Sequence, residues 1–190
     1  MTTIGFLRHG QTDWNIDFRL QGISDIPLNE KGRSQAHTAI PKLASLEWDV
    51  VVCSPLSRAL ETAQIVSRGL MLEDPIIHNE LLERSFGEAE GLTYEVWRDH
   101  FQSGERAAGA ESLAALEQRA RHCLSFLAEL YPGKRVLAVS HGAFIRKILN
   151  LVSKGALPLE GQRLGNLSLA IMNFDDLQWS VTDYHPQSLG

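Results

Sequence analysis

Two apolar runs, each ending on a histidine followed by glycine, constrain this chain more than any other feature. Ile4-Gly5-Phe6-Leu7 leads into Arg8-His9-Gly10, and Val136-Leu137-Ala138-Val139 leads through Ser140 into His141-Gly142. A short apolar run bounded by glycine is the pattern of a buried strand in a parallel sheet, although a buried helix segment shares its periodicity. In open parallel sheets ligands bind beyond the carboxyl ends of the strands, where both His-Gly pairs would sit. The pattern therefore predicts a parallel α/β architecture with an active site at His9 and His141.

With 190 residues and 44% hydrophobic content the chain can bury one sizeable core, and we read it as a single domain over residues 1–190. Its net charge of −5 comes from 18 basic and 23 acidic residues in mixed order. That argues against a nucleic-acid or membrane-surface partner, either of which calls for a basic stripe. An anionic ligand must then be held by local charge. Cys53 and Cys123 are too few for a disulfide scaffold and lack metal-ligand spacing, which fits a reducing cytoplasm. The first apolar run has no basic leader and no run reaches membrane length, so a soluble, cytoplasmic protein is expected.

A polar, irregular stretch spans residues 10–29. A helical pattern follows, with Asn29 as N-cap and Ala36, Ile40 and Leu43 on one face, and Pro41 is expected to kink or end it. Residues 50–53 read as a strand. Ser54-Pro55 after it reads as an N-cap and a first-turn proline, putting Arg58 in the opening turn of a helix that runs roughly to Gly69. A short strand is expected at Ile76-Ile77. Gly87, Gly91, Gly104 and Gly109 mark turns around one helix with Tyr94, Trp97 and Phe101, and residues 84–111 are read as a cap or insertion over the site. Ser112 caps a long amphipathic helix stopped by Pro132-Gly133, and a further helix covers residues 143–152. Residues 167–174 and 179–184 suggest a hairpin across Asp175-Asp176. The alternation predicts a three-layer α/β/α sandwich, with a mostly parallel central sheet and a small cap over the strand C-terminal ends.

The strand ends of such a fold would gather Arg8, His9, Arg58 and His141. Arginine grips phosphoryl oxygens with a planar, permanently charged fork, and amides at a helix N-terminus add positive potential. A neutral imidazole, held by a hydrogen bond at one nitrogen, can attack phosphorus with the other and form a phosphohistidine. Glu83, flanked by Leu81 and Leu82, could be kept protonated by desolvation to protonate a leaving alkoxide. Glu80, Glu88 and Glu90 stand nearby as alternatives.

Arg8-His9-Gly10 with Thr12, Asn15 and Gln21-Gly22, then Ser54-Pro55-Leu56-Ser57-Arg58-Ala59 with Glu61-Thr62-Ala63, and finally Ser140-His141-Gly142, form an ordered series of motifs. Together they resemble the histidine phosphatase superfamily in its phosphoglycerate mutase-like branch, over most of the chain. The resemblance implies that His9 is the nucleophile and that Arg8, Arg58 and His141 hold the phosphoryl group. It also implies that Asn15, Gln21 and Gly22 line the pocket. Leu82-Glu83-Arg84, with Gly87 and Gly91 after it, resembles the segment carrying the family's proton donor, which assigns that role to Glu83 and puts Arg84 beside the substrate. The implied activity is hydrolysis of a small phosphomonoester by a histidine acid phosphatase-type enzyme, without metal or cofactor.

Other readings of the same residues are weaker. A cysteine phosphatase would use Cys53 and Arg58, but the intervening Ser54, Pro55, Leu56 and Ser57 make the segment one residue too short, and Pro55 lacks an amide donor. A metallohydrolase would set a cation beside Arg8, and no HExxH-type ligand spacing occurs. His37, His78, His100, His122 and His185 read as ordinary polar residues, Trp97 and Phe101 as packing residues, and Asn166 has no assignment. Phosphoglycerate mutase-type transfer would require a cationic, closing cap. Residues 84–110 hold three basic residues (Arg84, Arg98, Arg106) against five acidic ones (Glu88, Glu90, Glu95, Asp99, Glu105), which favours hydrolysis. A phospho-ligand-binding domain without turnover is the non-enzymatic alternative.

Overall fold

The computed structural model describes residues 1–101 and 106–189. The turn at Gly104 and the charge of Glu105 lie outside the described residues. Six strands form one sheet in the order β3-β2-β4-β1-β5-β6. They are β1 (Thr2–Arg8), β2 (Val50–Cys53), β3 (Ile76–Ile77), β4 (Arg135–Ser140), β5 (Leu169–Asp175) and β6 (Gln178–His185). The β3-β2, β2-β4 and β4-β1 pairs are parallel, whereas β5 is antiparallel to both β1 and β6.

Both faces of the sheet are covered, which is why β1, β2 and β4 carry the apolar runs 4–7, 50–53 and 136–139. On one face Ile4, Phe6, Val136 and Ala138 pack with α5 (Leu113–Leu130) and α6 (Gly142–Val152). On the other, Leu7, Val51, Leu137 and Val139 pack with α2 (Glu30–Ala44) and α3 (Ser57–Gly69). The result is the expected three-layer α/β/α sandwich. No helix among the described residues is long and apolar enough to cross a membrane.

Several local expectations shift. The stretch 10–29 contains the short helix α1 (Asp13–Ile16), closed by a capping box in which Thr12 and Asn15 exchange hydrogen bonds. Pro41 does not end α2, which runs on to Ala44. Pro41 and His37 both face solvent, so the carbonyl that loses its intrahelical donor stays hydrated. Ser54 is not the cap of α3. That helix begins at Ser57, whose N–H and hydroxyl both donate to Asp25 Oδ1 at 2.7 Å, a carboxylate supplied from 32 residues upstream. The β5–β6 turn is Asp176-Leu177, both at positive φ, as a two-residue hairpin requires. Within residues 84–111 lie the 3-10 turn Gly87–Ala89 and the helix α4 (Tyr94–His100), which Thr93 caps. An isolated bridge joins Arg19 to Thr93.

Candidate active site

Three adjacent strands deliver the central residues. His9 directly follows β1, His141 follows β4 and Ser54 follows β2. The ladders hold these ends level: Arg8 pairs with Ser140, and Cys53 with Val139. Two further backbone bonds extend them, from His9 N–H to the Ser140 carbonyl at 3.0 Å and from Ser54 N–H to the Val139 carbonyl at 3.1 Å. A cavity of about 780 Å3 opens there, lined by Arg8, His9, Arg58, Glu83, Gly142 and Asn166 among others. Asn15, Gln21 and Gly22 also line it.

The two histidine rings lie side by side at a tilt, with ring centroids 5.2 Å apart and planes inclined at 58°. His9 Nδ1 donates to the Gly10 carbonyl at 2.7 Å, which leaves a lone pair on Nε2. His141 Nε2 lies 2.8 Å from Ser54 Oγ. Burial, then the positive charge of Arg58, holds both imidazoles well below their ordinary pKa, so they are neutral around pH 7. The Asn166 amide donates to the His9 carbonyl at 3.0 Å and to Asn15 Oδ1 at 3.2 Å, and Thr62 Oγ1 accepts the Gly10 N–H. These bonds fix the backbone that carries His9.

Both arginines are anchored by carbonyls rather than by ion pairs. Arg8 donates to the Leu164 carbonyl, and Arg58 to the carbonyls of Gly22 (2.7 Å) and Ser24 (2.8 Å). Burial brings Arg58 down to about 10, against the opposing charges of Glu83, Asp25 and Glu90, so it stays a cation. Arg8 Nε, Arg58 Nε and His141 Nδ1 are buried and have no hydrogen-bond partner among the described residues. Three orphaned nitrogens on residues of one site, two of them on cations, match the oxygens of a bound anion.

Glu83 is buried as expected, but not in an apolar pocket. Oε1 accepts from the Arg84 and Phe144 amides at 2.8 and 2.9 Å, and Oε2 from the Ala143 amide at 3.0 Å. The carboxyl group therefore caps the N-terminus of α6 and lies against the cavity, with one acceptor position on Oε2 unused by these bonds. Among its sequence competitors, Glu90 is engaged elsewhere. It accepts from the amides of Ile23, Ser24 and Phe86 and from the Ser24 hydroxyl, which clasps the loop after Gly22.

Not every expected residue reaches the site. Arg84 does not line the cavity; its Nε donates to the Glu111 carbonyl at 3.2 Å and its guanidinium lies over Phe86. Cys53 is fully buried in the sheet and its thiol is pushed up to about 12, which leaves no thiolate for a cysteine-based mechanism. Among the described residues His9 is the one histidine that lines the cavity; His141 lies fully buried behind it, beside the His9 ring, and the other five lie elsewhere, His78, for instance, bonding to the Tyr131 hydroxyl at 2.9 Å. Sequence reasoning missed Ser54 as a partner of His141, Asn166, Arg146 and Arg163, and the wall residues Phe86 and Tyr94. Arg146 left a faint trace in the sequence, as one of two charges, with Lys147, that interrupt the apolar run Phe144-Ile145 to Ile148-Leu149.

Comparisons with known proteins agree with this geometry. The profile of the Histidine phosphatase superfamily (branch 1) matches residues 4–186. The chain is 36% identical to the uncharacterized phosphatase PhoE of Bacillus subtilis, covering 99% of this chain and 96% of that protein. It is 29% identical to the probable phosphoglycerate mutase GpmB of Cronobacter sakazakii, covering 100% and 93%. Among solved structures, a mutant phosphoserine phosphatase from Entamoeba histolytica in complex with phosphoserine superposes with a TM-score of 0.84 at 27% identity, covering 97% of each chain.

Proposed function

Because this chain belongs to the histidine phosphatase superfamily, branch 1, we propose that it is a metal-independent hydrolase of a small phosphomonoester, acting through a phosphohistidine on His9. The observation that carries this reading is the bond from His9 Nδ1 to the Gly10 carbonyl, which leaves a neutral Nε2 lone pair in a cavity also lined by the buried Arg58 and the half-buried Arg8. In the proposed first step Nε2 attacks phosphorus in line, the P–O ester bond breaks, and the leaving alkoxide takes a proton from Glu83 Oε2. Arg8, Arg58 and His141 hold the phosphoryl oxygens, with Asn15, Gln21 and Gly22 completing the pocket. Water then attacks the phosphohistidine, its proton passes to the Glu83 carboxylate, the P–N bond breaks and inorganic phosphate leaves.

Residues 84–111 are proposed to act as a cap on one domain, since Phe86 and Tyr94 line the cavity from this segment. Hydrolysis is favoured over mutase-type transfer because none of Arg84, Arg98 and Arg106 is among the lining residues. The acid-phosphatase part of the reading rests on the depression of the His9 pKa, which keeps the nucleophile unprotonated on the acid side of neutrality. Turnover of p-nitrophenyl phosphate in the presence of a chelator tests the proposal. An undiminished rate is expected; activity that dialysis against chelator abolishes and a divalent cation restores would overturn it.

A further inference from the structure

No step of the proposed mechanism uses Ser54, although its hydroxyl is the one hydrogen-bond partner of the His141 ring among the described residues. Both residues are fully buried, and Ser54 Oγ lies 2.8 Å from His141 Nε2. Two placements of the proton fit such a contact, since either the ring nitrogen or the hydroxyl can donate. The other partner of Ser54 decides between them. It is the Leu56 N–H, which donates to Oγ at 3.4 Å and takes no proton in return. If Nε2 donated as well, the hydroxyl proton would be left in a buried site with no acceptor among the described residues. That costs about as much as losing a buried hydrogen bond. The hydroxyl therefore donates to the Nε2 lone pair.

In a neutral imidazole the bond made at one nitrogen fixes the state of the other, so His141 carries its proton on Nδ1. Burial beside Arg58 keeps the ring neutral. His9 holds the same tautomer with the opposite consequence. Its Nδ1 proton goes to the Gly10 carbonyl and its Nε2 keeps a lone pair. In His141 the Nε2 lone pair is taken by Ser54, and the buried Nδ1 proton has no partner among the described residues. One ring is left as a nucleophile and the other as a donor.

We propose that Ser54 is a positioning residue that locks His141 as the Nδ1–H tautomer, a neutral hydrogen-bond donor to the phosphoryl oxygens with no lone pair left to accept a proton. The tautomer rests on the hydrogen bonds alone, and its use on a phosphoryl group rests on the phosphomonoesterase reading above. The proton of the attacking water then goes to Glu83, whose Oε2 keeps an acceptor position beside the cavity, and not to His141.

NMR of native protein labelled with ¹⁵N-histidine reads the tautomer without turnover, and the signals that vanish in His141→Asn belong to His141. Nδ1 should show the shift of a protonated ring nitrogen with a one-bond coupling to its proton, and Nε2 that of a nitrogen with a lone pair. Saturating orthophosphate should move the Nδ1 proton downfield without removing it. In Ser54→Ala the two tautomers should interconvert, and kcat/KM for p-nitrophenyl phosphate should fall about 10-fold. Because that loss passes through His141, Ser54→Ala should change kcat/KM by less than about 2-fold in a His141→Asn background, whereas a merely structural role would give the same loss in both. A proton on Nε2 of native His141, an Nδ1 signal that saturating orthophosphate leaves unmoved, or equal losses in the two backgrounds overturns the proposal. Turnover with the proton on Nε2 would keep the phosphatase and remove the role of Ser54. An Nδ1 proton that orthophosphate shifts, in a protein without turnover, would keep the donor and remove the parent reading.

Discussion

His9 and His141 share one buried site with their ring centroids 5.2 Å apart, and each uses one ring nitrogen in a bond to a different neighbour. Gly10 takes His9 Nδ1 and Ser54 takes His141 Nε2, which leaves His9 Nε2 and the buried His141 Nδ1 without a hydrogen-bond partner among the described residues. The arrangement requires both rings to be neutral, and burial beside Arg58 supplies that condition.

A pH dependence follows with a definite sign. Both native pKa values lie below the ordinary 6.5, so between those limits the unfolded chain binds protons that the folded chain does not. The two histidines should leave stability flat above about pH 7, then remove up to about 1.4 kcal/mol each per pH unit as the pH falls through 6.5. Denaturant unfolding at a series of pH values checks this, and His141→Asn should make the decline shallower. The acid limb of kcat/KM should correspondingly fall below 6.5.

Ser54→Ala removes the partner of His141 Nε2 and leaves both nitrogens of a buried ring unsatisfied. Stability should drop by about 1–3 kcal/mol, the cost of an unmet buried polar group. If His141 grips the phosphoryl oxygens, vanadate inhibition should weaken in parallel. Thermal unfolding and inhibition titrations measure the two effects.

Gly22 adopts φ +55°, and a Cβ there would lie 2.1 Å from Glu90 Oε1. Gly22→Ala should therefore displace the carboxylate that clasps Ile23, Ser24 and Phe86, and with it the carbonyls that anchor Arg58. A stability loss of about 2 kcal/mol or more is expected, together with a raised KM. A variant with unchanged Tm and KM would show that this loop does not position Arg58.

Glu83→Gln isolates the proposed acid. Alkyl phosphates, whose alkoxides are strongly basic, should react roughly 10²–10⁴-fold more slowly, and p-nitrophenyl phosphate much less so. A burst of nitrophenol in the variant would reveal the second role, in activating water. An equal loss across a leaving-group series with no burst would reduce Glu83 to its helix-capping bonds to Ala143 and Phe144.

The parts of the molecule legible in the sequence were those set by short-range pattern. Apolar runs announced β1, β2 and β4, and the residues that end them fall at the strand C-termini. Ser112 and Asn29 cap the helices they precede. What the pattern could not carry depends on distant partners. Ser54 looked like a cap because nothing local reveals that Asp25 takes that place and frees Ser54 for His141, 87 residues away. Asn166 reaches the His9 carbonyl across 157 positions, and Arg84, adjacent to Glu83, turns instead to Glu111. Leu81 and Leu82 suggested desolvation of Glu83 without establishing it, and nothing local announced its amide donors, which come mainly from α6.

The most direct test of the account is to quench the enzyme during turnover of a ³²P-labelled phosphomonoester and map the label. Acid-labile, base-stable phosphate on His9, absent together with turnover in His9→Ala, is the predicted result. Label on another residue, or full turnover with no labelled His9 under conditions that trap the intermediate, would contradict it.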